Sequence, residues 1–386
     1  MAKYKLGDIC EIVSGSTPKT SIEEYWDGDI KWITPAEIND DTYIVTDSVR
    51  KITDLGAKKT GLSPFPEGTV ILSSRAPIGK VAIAGCAMCC NQGFKNLICS
   101  EKILNKYLYW FLKGNTSFLN SLGRGATFKE ISKSIVSQIE INVPVIEYQK
   151  EAADILEKVS EVIYLRKQEL TALDNLIKAR FVEMFGDPST NPRGWDETTI
   201  SDECFYIKDG PHKSLPDIGK ENGGHPFISV RNIVNGHIDF STARYISDED
   251  YADAIRKCHP EKGDMLYSKG GTTGIAKLID IDEEFANWVH VAVLKFDKSR
   301  LNGVFFENML NCSYCYEQSQ RLTKGIANRD LVLSAMAQIK LYCPPMELQN
   351  QFADFVKQVD KSKVAVQKAL DETQMLFDSL MQEYFN

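Results

Sequence analysis

Pro144-Val145-Ile146-Glu147-Tyr148-Gln149 corresponds, 200 residues later in this 386-residue chain, to Pro344-Pro345-Met346-Glu347-Leu348-Gln349. After each copy, apolar residues recur at spacings of three and four among charged ones, which is the pattern of an amphipathic helix. A proline just inside each start suits the first helical turn, where its missing N–H has no partner to lose. The sequence therefore predicts two long helices, over 144–186 and 344–386.

Each predicted helix has an apolar stripe that would face water if the helix stood alone. We expect the two helices to pack on each other, antiparallel, as a coiled coil. The alternative is that each helix folds back on its own domain. Polar Arg166 and Ser362 interrupt the stripes. The apolar positions are Ile155, Val159, Val162, Leu170, Leu173, Ile177, Phe181 and Met184 in the first helix and Phe352, Phe355, Val359, Val366, Leu370, Leu376 and Leu380 in the second.

The rest of the chain repeats as well. Leu6-Gly7-Asp8-Ile9-Cys10 corresponds to Ile200-Ser201-Asp202-Glu203-Cys204 at a spacing of 194 residues. Gly68-Thr69-Val70-Ile71-Leu72-Ser73 corresponds to Gly263-Asp264-Met265-Leu266-Tyr267-Ser268 at a spacing of 195. Matches in the same order at several separated places are hard to explain without duplication. The chain is therefore predicted to contain two copies of one unit.

The part of each unit before its long helix, 1–143 or 198–343, has short β-type runs broken by glycine and proline. Gly186 ends the first helix in this prediction, and residues 187–197 form a linker with turn chemistry. The fold class is therefore α+β: two homologous mixed domains separated by two long antiparallel helices, with pseudo-two-fold symmetry. Predicted strands include 30–33, 69–72 and 226–230, and predicted helices within the domains include 106–113 and 304–318.

Composition and charge narrow the class of protein. With 43% hydrophobic and 25% charged residues, the chain has the composition of a folded protein, and its length favours two or three domains. No apolar run approaches the roughly 20 residues that cross a bilayer, and no signal peptide is visible, so a cytoplasmic protein is expected. The net charge of −8 argues against a surface that coats nucleic acid throughout. Local basic segments remain, such as 129–133 and 324–329.

Cysteine and histidine spacing predicts no metal and no catalytic site. Two groups of cysteines approach metal-ligand spacing, but neither has a second pair or a histidine at zinc-site distance. Because no secretory signal is visible, the thiols are expected to be reduced. The histidines are scattered without the geometry of a metal site or a nucleophile. The cysteines closest to metal-ligand spacing are Cys86, Cys89, Cys90 and Cys99, and separately Cys312 and Cys315. The histidines are His212, His225, His237, His259 and His290.

The junction between the two units reads Phe181-Val182-Glu183-Met184-Phe185-Gly186-Asp187-Pro188, followed by Asn191-Pro192, Gly194 and Trp195. With the repeated domain openings and the Pro-x-x-Glu-x-Gln starts of both helices, this junction resembles the specificity subunit of a type I restriction-modification system. The resemblance covers essentially the whole chain, in the order recognition domain, helix, recognition domain, helix. The single motifs are loose, but their order is specific.

That resemblance implies a non-catalytic subunit that reads a two-part DNA target. Each target recognition domain would read one half-site in the major groove, and the helices would set the gap between the halves. The partners would be double-stranded DNA, DNA methyltransferase subunits and, through these, restriction subunits. S-adenosylmethionine, ATP and magnesium would belong to the partners, with no cofactor in this chain. A helix of about 40 residues is about 60 Å long, comparable with one to two turns of duplex.

Base readout needs Arg or Lys for guanine and Asn or Gln for adenine, on loops that can enter a groove. Three matched pairs of loops meet this requirement, and each pair shares a frame but differs at its tips, so the target should be non-palindromic. Alternatively, the glycines and prolines merely make turns and the cations are solvated. The loop pairs are 14–19 with 208–213, 73–80 with 268–274, and 123–129 with 322–329; the third pair is preferred. The candidate DNA-binding residues are Ser14, Ser16, Thr17, Lys19, Ser74, Arg75, Lys80, Arg124, Thr127, Lys129, Lys208, His212, Lys213, Lys269, Thr272, Thr273, Lys324, Asn328 and Arg329.

Two other classes of function compete with DNA specificity. For an autonomous methyltransferase or nuclease, Gly270–Ile275 resembles a phosphate loop, but no Lys-Ser or Lys-Thr follows its last glycine. Cys343-Pro344-Pro345-Met346 resembles the tetrad of amino-methyltransferases, but its first residue accepts a hydrogen bond poorly and its last is not aromatic. No catalytic residue is therefore predicted. A protein-binding scaffold with duplicated domains would differ in having no salt-sensitive DNA affinity.

Overall fold

The computed structural model describes residues 2–39, 41–125, 129–234, 236–326 and 328–385. The chain divides into two units, each of which contains one mixed domain and about half of each long helix. Unit 1 is Met1–Gln168 with Gln367–Asn386, and unit 2 is Glu169–Val366.

Unit 1 alternates short strands with short helices. Its strands are β1 (Ala2–Lys5), β2 (Cys10–Ser14), β3 (Trp26–Ile33), β4 (Ile44–Val45), β5 (Arg50–Ile52), β6 (Val70–Leu72), β7 (Val81–Ala84), β8 (Cys89–Cys90), β9 (Lys95–Cys99) and β10 (Glu140–Val143). Its helices are α1 (Leu6–Ile9), α2 (Asp54–Thr60), α3 (Asn105–Gly114), α4 (Thr116–Ser121), α5 (Lys133–Ser137) and the first part of α6 (Ile146–Phe185). The sheets have the strand orders β2-β9-β6-β7-β4, β5-β3-β8 and β1-β10.

Unit 2 is built in the same way. Its strands are β11 (Glu197–Thr199), β12 (Cys204–Asp209), β13 (His225–Ile228), β14 (Arg244–Ile246), β15 (Met265–Ser268), β16 (Ala276–Leu278), β17 (Ala286–Asn287), β18 (Val291–Phe296) and β19 (Lys340–Tyr342). Its helices are α7 (Ile200–Glu203), α8 (Asp248–Lys257), α9 (Gly303–Asn311), α10 (Ser313–Leu322), α11 (Leu333–Met336) and the first part of α12 (Met346–Phe385). The sheets have the strand orders β12-β18-β15-β16, β14-β13-β17 and β11-β19.

The predicted duplication is confirmed element by element, because the helices and strands of unit 2 follow the order of those in unit 1 with equivalent pairing. Only β4 has no counterpart among the described residues of unit 2. In both units the first and last strands of the domain pair antiparallel, Ala2 opposite Val143 in one and Glu197 opposite Tyr342 in the other. Each domain is thus closed by its own ends just before the long helix begins.

The long helices begin slightly later than the prolines suggest. Val145 and Pro345 are the capping residues, since their carbonyl oxygens accept the N–H groups of Gln149 and Gln349 at 3.1 and 3.2 Å. The prolines therefore lie at or before the cap rather than inside the first turn. This difference of one or two residues is usual at helix ends.

A buried glutamine explains the repeated motif at both helix starts. The Gln149 side chain accepts the N–H of Leu104 at 2.8 Å and donates to the carbonyl oxygens of Lys102 and Pro144 at 3.0 and 2.8 Å. Gln349 forms the same three bonds, with the N–H of Asn302 and the carbonyl oxygens of Arg300 and Pro344, at 2.7 to 2.9 Å. Both side chains are completely buried. Each glutamine thus joins a long helix to the loop before the α3 or α9 helix of its domain.

Replacing Gln149 with leucine should destabilise unit 1 by about 2–4 kcal/mol, because it leaves one buried N–H and two carbonyl oxygens without their partner. Chemical unfolding monitored by circular dichroism would measure the change. Gln168→Leu is the matched control, since Gln168 is exposed on the same helix. An equal unfolding midpoint for the two variants would contradict the anchoring role.

In unit 1, parts of both long helices complete the core of the first domain. From the end of the chain, Phe377 and Phe385 contact Trp110 and Tyr107 of α3 with ring centroids 5.6 and 4.9 Å apart. The two helices run antiparallel here: Tyr148 lies beside Tyr384, and further along the pair the Arg166 guanidinium donates to Ala369 and Thr373 of α12. The polar interruption at Arg166 is therefore an interhelical contact. 

In unit 2, the remaining parts of the helices pack in the same way on the second domain. Phe181 and Phe185 contact Phe305 of α9 and Phe352 of α12, with ring centroids 4.9 to 5.8 Å apart. Lys363 pairs with Asp174 at 2.7 Å while Phe181 lies beside Phe352, so the helices are antiparallel here as well. Both long helices therefore contribute to the core of each domain. Neither expected arrangement, a helix pair packed only on itself or each helix folded on its own domain, included this packing. The supercoil of a coiled coil stays a prediction.

The stripes are only partly buried. Val162 and Leu376, two of the predicted stripe positions, are 38% and 52% exposed. The long helices also expose Leu165, Leu176, Val364 and Met375, by 46 to 70% of their surface. Apolar surface therefore remains on both helices. Within the described ranges, no helix is both long enough and apolar enough to cross a membrane.

Two local details differ from or extend the predictions. The single helix predicted over 304–318 is interrupted at Cys312, where α9 ends and α10 begins. Asn311 fixes this break, because its side chain bonds both the N–H and the carbonyl oxygen of Ala276 at 2.9 Å.

After α6, Gly186 takes a left-handed backbone with φ of +80°, and the Trp195 indole N–H donates to the Phe185 carbonyl oxygen at 2.8 Å. The linker is therefore tied to the helix end.

Candidate nucleic-acid interface

Three predicted loops of unit 1 meet around Glu130. Arg124 and Glu130 exchange two backbone hydrogen bonds of 3.0 Å, which close the loop between them. The Arg75 guanidinium lies 3.8 Å and the Lys95 ammonium 3.1 Å from the Glu130 carboxylate. Lys95 is opposite Ser14 in the β2–β9 ladder, so the end of β2 reaches the same place. Loops that are far apart in sequence thus form one surface.

A shallow cavity of about 520 Å³ lies between two of these loops. Arg75 and Lys129 line it from opposite loops, together with Pro77, Ile78 and Asn120. Gly125 in the loop tip has a φ of +127°, which residues with a Cβ rarely adopt. Thr127, one of the candidate residues, lies outside the described part of the chain.

The loops of unit 2 meet in the same way at Asp330. Lys324 and Asp330 exchange two backbone hydrogen bonds of 2.9 Å. The Lys269 ammonium lies 3.0 Å from Asp330 and 3.5 Å from Asp209, and so joins the loop after β15 to the end of β12. The Gly271 N–H donates to the Arg329 carbonyl oxygen at 3.0 Å. Each unit therefore brings its three predicted loops together around one carboxylate.

The central lysine, which pairs with Glu130 in unit 1 and with Asp330 in unit 2, comes from a different position in each unit. Ser74 and Lys269 are equivalent, because their carbonyl oxygens accept the N–H groups of Ile131 and Leu331 at 3.0 and 2.7 Å. Unit 1 has serine at this position and takes its lysine from Lys95 in β9 instead. Both lysines are buried, with 7% and 4% of their surface exposed. Each buried ammonium is paired, as a charge out of water requires.

His290 borders the loop cluster of unit 2. Lys269 and Gly270 both donate their N–H groups to the His290 carbonyl oxygen, at 2.8 and 3.2 Å. A Cβ on Gly270 would lie 2.0 Å from the imidazole, so only glycine fits there. Burial and then the charge of Lys269 lower the pKa of His290, which favours the neutral form of the ring.

The candidate residues differ in how accessible their side chains are. The exposed ones are Ser14, Lys19, Arg124, Lys129, Lys208, His212, Lys213, Thr272, Lys324, Asn328 and Arg329. Half-buried ones are Ser16, Thr17, Arg75 and Lys80, and buried ones are Ser74, Lys269 and Thr273. Most of the exposed ones are at the loop tips, as predicted from the sequence.

The three buried candidates form bonds within the protein. Ser74 accepts the Lys95 ammonium at 3.2 Å, Lys269 joins Asp209 and Asp330, and the Thr273 hydroxyl bonds that of Thr323 at 2.9 Å. Their side chains have no surface on which a base edge could rest in this structure. The three positions lie on the predicted loops, and their side chains hold these loops in shape.

Sequence reasoning missed the groups that hold the loops together. It selected basic tip residues and passed over Lys95, Asp209, Glu130 and Asp330. The last two could have been found, because they recur at the 200-residue spacing of the helix starts. The pairing of Lys95 with Glu130 depends on how the chain folds and has no signal in sequence spacing.

The cysteines are all free thiols. Burial raises the pKa of the Cys90 thiol to about 12 and makes it unreactive. In the described part of the chain, no three His, Cys, Asp or Glu side chains are grouped closely enough to hold a metal ion.

Residues 1–175 and 192–373 match the family described as type I restriction modification DNA specificity domain. The chain belongs to this family. The resemblance read from the junction and the repeated motifs is confirmed, and with it a non-enzymatic specificity subunit with two DNA-recognition domains.

Curated relatives agree with the family over nearly the full length of the specificity subunit. The type I restriction enzyme MjaIX specificity subunit of Methanocaldococcus jannaschii is 29% identical over 395 aligned residues, covering 98% of this chain and 90% of the relative. The MjaVIII specificity subunit of the same organism is 21% identical, covering 95% and 89%.

A solved structure shares the fold. The S subunit of a type I restriction-modification system from M. genitalium superposes with a TM-score of 0.58 at 16% identity, covering 100% of this chain and 96% of that one. At this identity, the likeness concerns the fold alone.

Proposed function

We propose that the specificity subunit reads a bipartite, non-palindromic DNA target, with one half-site for each recognition domain. The single observation that carries this proposal is the pair of loop clusters, which share a frame around Glu130 or Asp330 and differ at their tips. Where one domain presents Arg75, the other has Gly270, and the tip residues of the closing loops also differ. Different donors on the same frame favour different bases.

Within each cluster, the chemistry of the side chains indicates which residues contact the DNA backbone and which contact bases. Arg124 and Lys129 in one domain and Lys324 and Arg329 in the other suit phosphate oxygens, since they are cations with exposed side chains on the closing loops. Asn328 is exposed at the tip and can form a bidentate pair with adenine. Local cations of this kind allow DNA binding despite the net charge of −8.

We further propose that the two long helices set the gap between half-sites and dock DNA methyltransferase subunits, through which restriction subunits join. The apolar residues exposed on both helices support docking, because such surface is usually covered by a partner. S-adenosylmethionine, ATP and magnesium would be bound by the partner subunits. The complex would act in the cytoplasm, where the host DNA lies.

Methylome sequencing of a host that carries the methyltransferase subunits, with and without this chain, tests the proposal. We expect one split motif of two unlike halves to be methylated only when the chain is present. A protein-binding scaffold would leave the methylome unchanged, and a palindromic motif would contradict the assignment of different half-sites to the two domains. 

A further inference from the structure

The second recognition domain has a cationic groove beside its three loops. Phe227, Ser229, Arg231, Arg244 and Trp288 line it, and its volume is about 190 Å³. The residues come from three strands or their ends, since β13 lies between β14 and β17 in one sheet. None of these five was among the DNA-binding candidates predicted from the sequence.

The two guanidinium groups in the groove are held in place by groups other than carboxylates. Arg244 lies over the Trp288 ring, 5.7 Å from its centroid, and Arg231 donates to the Thr242 carbonyl oxygen at 2.5 Å. A cation on an aromatic face is oriented but keeps its charge. Among the described residues, neither arginine forms an ion pair with a carboxylate.

Asp217 is the acid whose titration these arginines influence. Its pKa is lowered first by the backbone N–H groups of Tyr245 and Gly219 and only then by Arg244 and Arg231. The carboxylate accepts those N–H groups through one oxygen, at 3.0 and 3.1 Å. Two cations therefore face one acid that is already bonded to the backbone, which leaves a net positive groove.

The groove borders the loops that the proposed function places on DNA. A Cβ on Gly210, in the first loop, would lie 1.7 Å from the Asn287 carbonyl oxygen, so that loop packs on the segment that carries Trp288. Two residues further on, the His290 carbonyl oxygen accepts the N–H groups of Lys269 and Gly270 in the second loop. Trp288 thus lies in a segment held between two loops.

The same place in the first domain has different chemistry. Asn91 is equivalent to Trp288, because its N–H donates to Ile33 as that of Trp288 donates to Ile228, at 3.0 and 2.9 Å. Ala36 and Arg231 are each the middle residue of equivalent 3-10 turns, Pro35–Glu37 and Val230–Asn232. One arginine is retained, as Arg50 and Arg244 begin equivalent strands.

Arg50 has a different environment, since its guanidinium stacks on Trp26, 3.5 Å from the ring centroid. The first domain therefore lacks the second arginine, and the indole beneath its retained arginine comes from a different position, Trp26.

We propose that Arg231 and Arg244, oriented by Trp288, bind a phosphodiester of the DNA beside the half-site that the second domain reads. This inference rests on the proposed function and adds a contact with the DNA backbone that only the second domain makes. Two guanidinium groups at one groove, without an ion pair to a carboxylate among the described residues, suit a phosphate, which accepts several charge-assisted hydrogen bonds.

The test uses the full chain in complex with its methyltransferase subunits and a duplex that carries the methylated motif. Dissociation constants are measured between about 50 and 200 mM salt for wild type, Arg231→Gln, Arg244→Gln and Arg244→Lys. Arg256→Gln is the matched control, because Arg256 is 79% exposed on α8 and pairs with Asp253. Thermal unfolding of each complex shows that the variants are folded.

We expect each glutamine variant of the groove to weaken binding about tenfold and to reduce the slope of log K against log salt by about 1. Arg244→Lys should keep the slope. For the glutamine variants, the loss of affinity should be equal for duplexes that differ in base sequence. Groove variants that match Arg256→Gln, or that change the preferred base at an unchanged slope, would overturn the phosphate assignment. A wild-type complex without salt-sensitive affinity for the motif would overturn the proposed function as well.

Discussion

Replacing residues 1–143 with the corresponding domain of a relative should change one half of the methylated motif completely and leave the other half unchanged. The domain is closed by the β1–β10 pair, and its loop cluster is built entirely from its own residues. Each cluster should therefore keep its base preference when moved. Methylome sequencing of hosts that carry the wild-type or hybrid chain measures both halves at once.

The packing of the second helix provides a matched control for this exchange. Phe377 and Phe385 pack against the core of the first domain, beside Trp110 and Tyr107. A hybrid that also takes residues 367–386 from the relative should be more stable than one that exchanges 1–143 alone, and should have the same new half-site. A change in both halves of the motif would contradict independent readout by two domains.

Adding one heptad to each long helix should widen the gap between the half-sites by about three base pairs and leave the bases of both halves unchanged. Seven helical residues add about 10.5 Å, which corresponds to about three steps of 3.4 Å in a duplex. The insertions would follow Gln168 and Val366, where unit 1 and unit 2 divide the helices. Methylome sequencing again gives the gap directly.

Inserting the heptad into only one helix is the control. The contacts of Arg166 with Ala369 and of Asp174 with Lys363 fix the antiparallel register on either side of the insertion. A single insertion cannot satisfy both, so this variant should lose stability and modification. If the double insertion were active with the original gap, the helices would not determine the spacing.

Much of the architecture could be predicted from the sequence, because it depends on local patterns. Helical periodicity indicated both long helices to within a few residues of Ile146–Phe185 and Met346–Phe385. The repeated motifs indicated duplication, and Gln149 and Gln349 now explain the strongest of them. The candidate loops were found from glycine, proline and basic residues, which is the composition of exposed turns.

The parts that could not be predicted depend on contacts between distant segments. The helical stripe around Phe181 showed that apolar surface must be covered, but periodicity does not say by what. From the sequence, Lys269 is expected to be a solvated lysine in a glycine-rich loop. In the structure it is buried between two carboxylates. Trp288 and Arg244 are 44 residues apart and become partners only when β13 brings their strands together.

The relocation of the central lysine between the two domains has a consequence for how new specificities arise. In one domain the buried cation is Lys95 of β9, and in the other it is Lys269 after β15. The two domains therefore hold a structural charge at different positions of one shared architecture. A recognition surface whose support tolerates such exchange can accumulate substitutions at its tips while the domain still folds, and so can diversify quickly under selection.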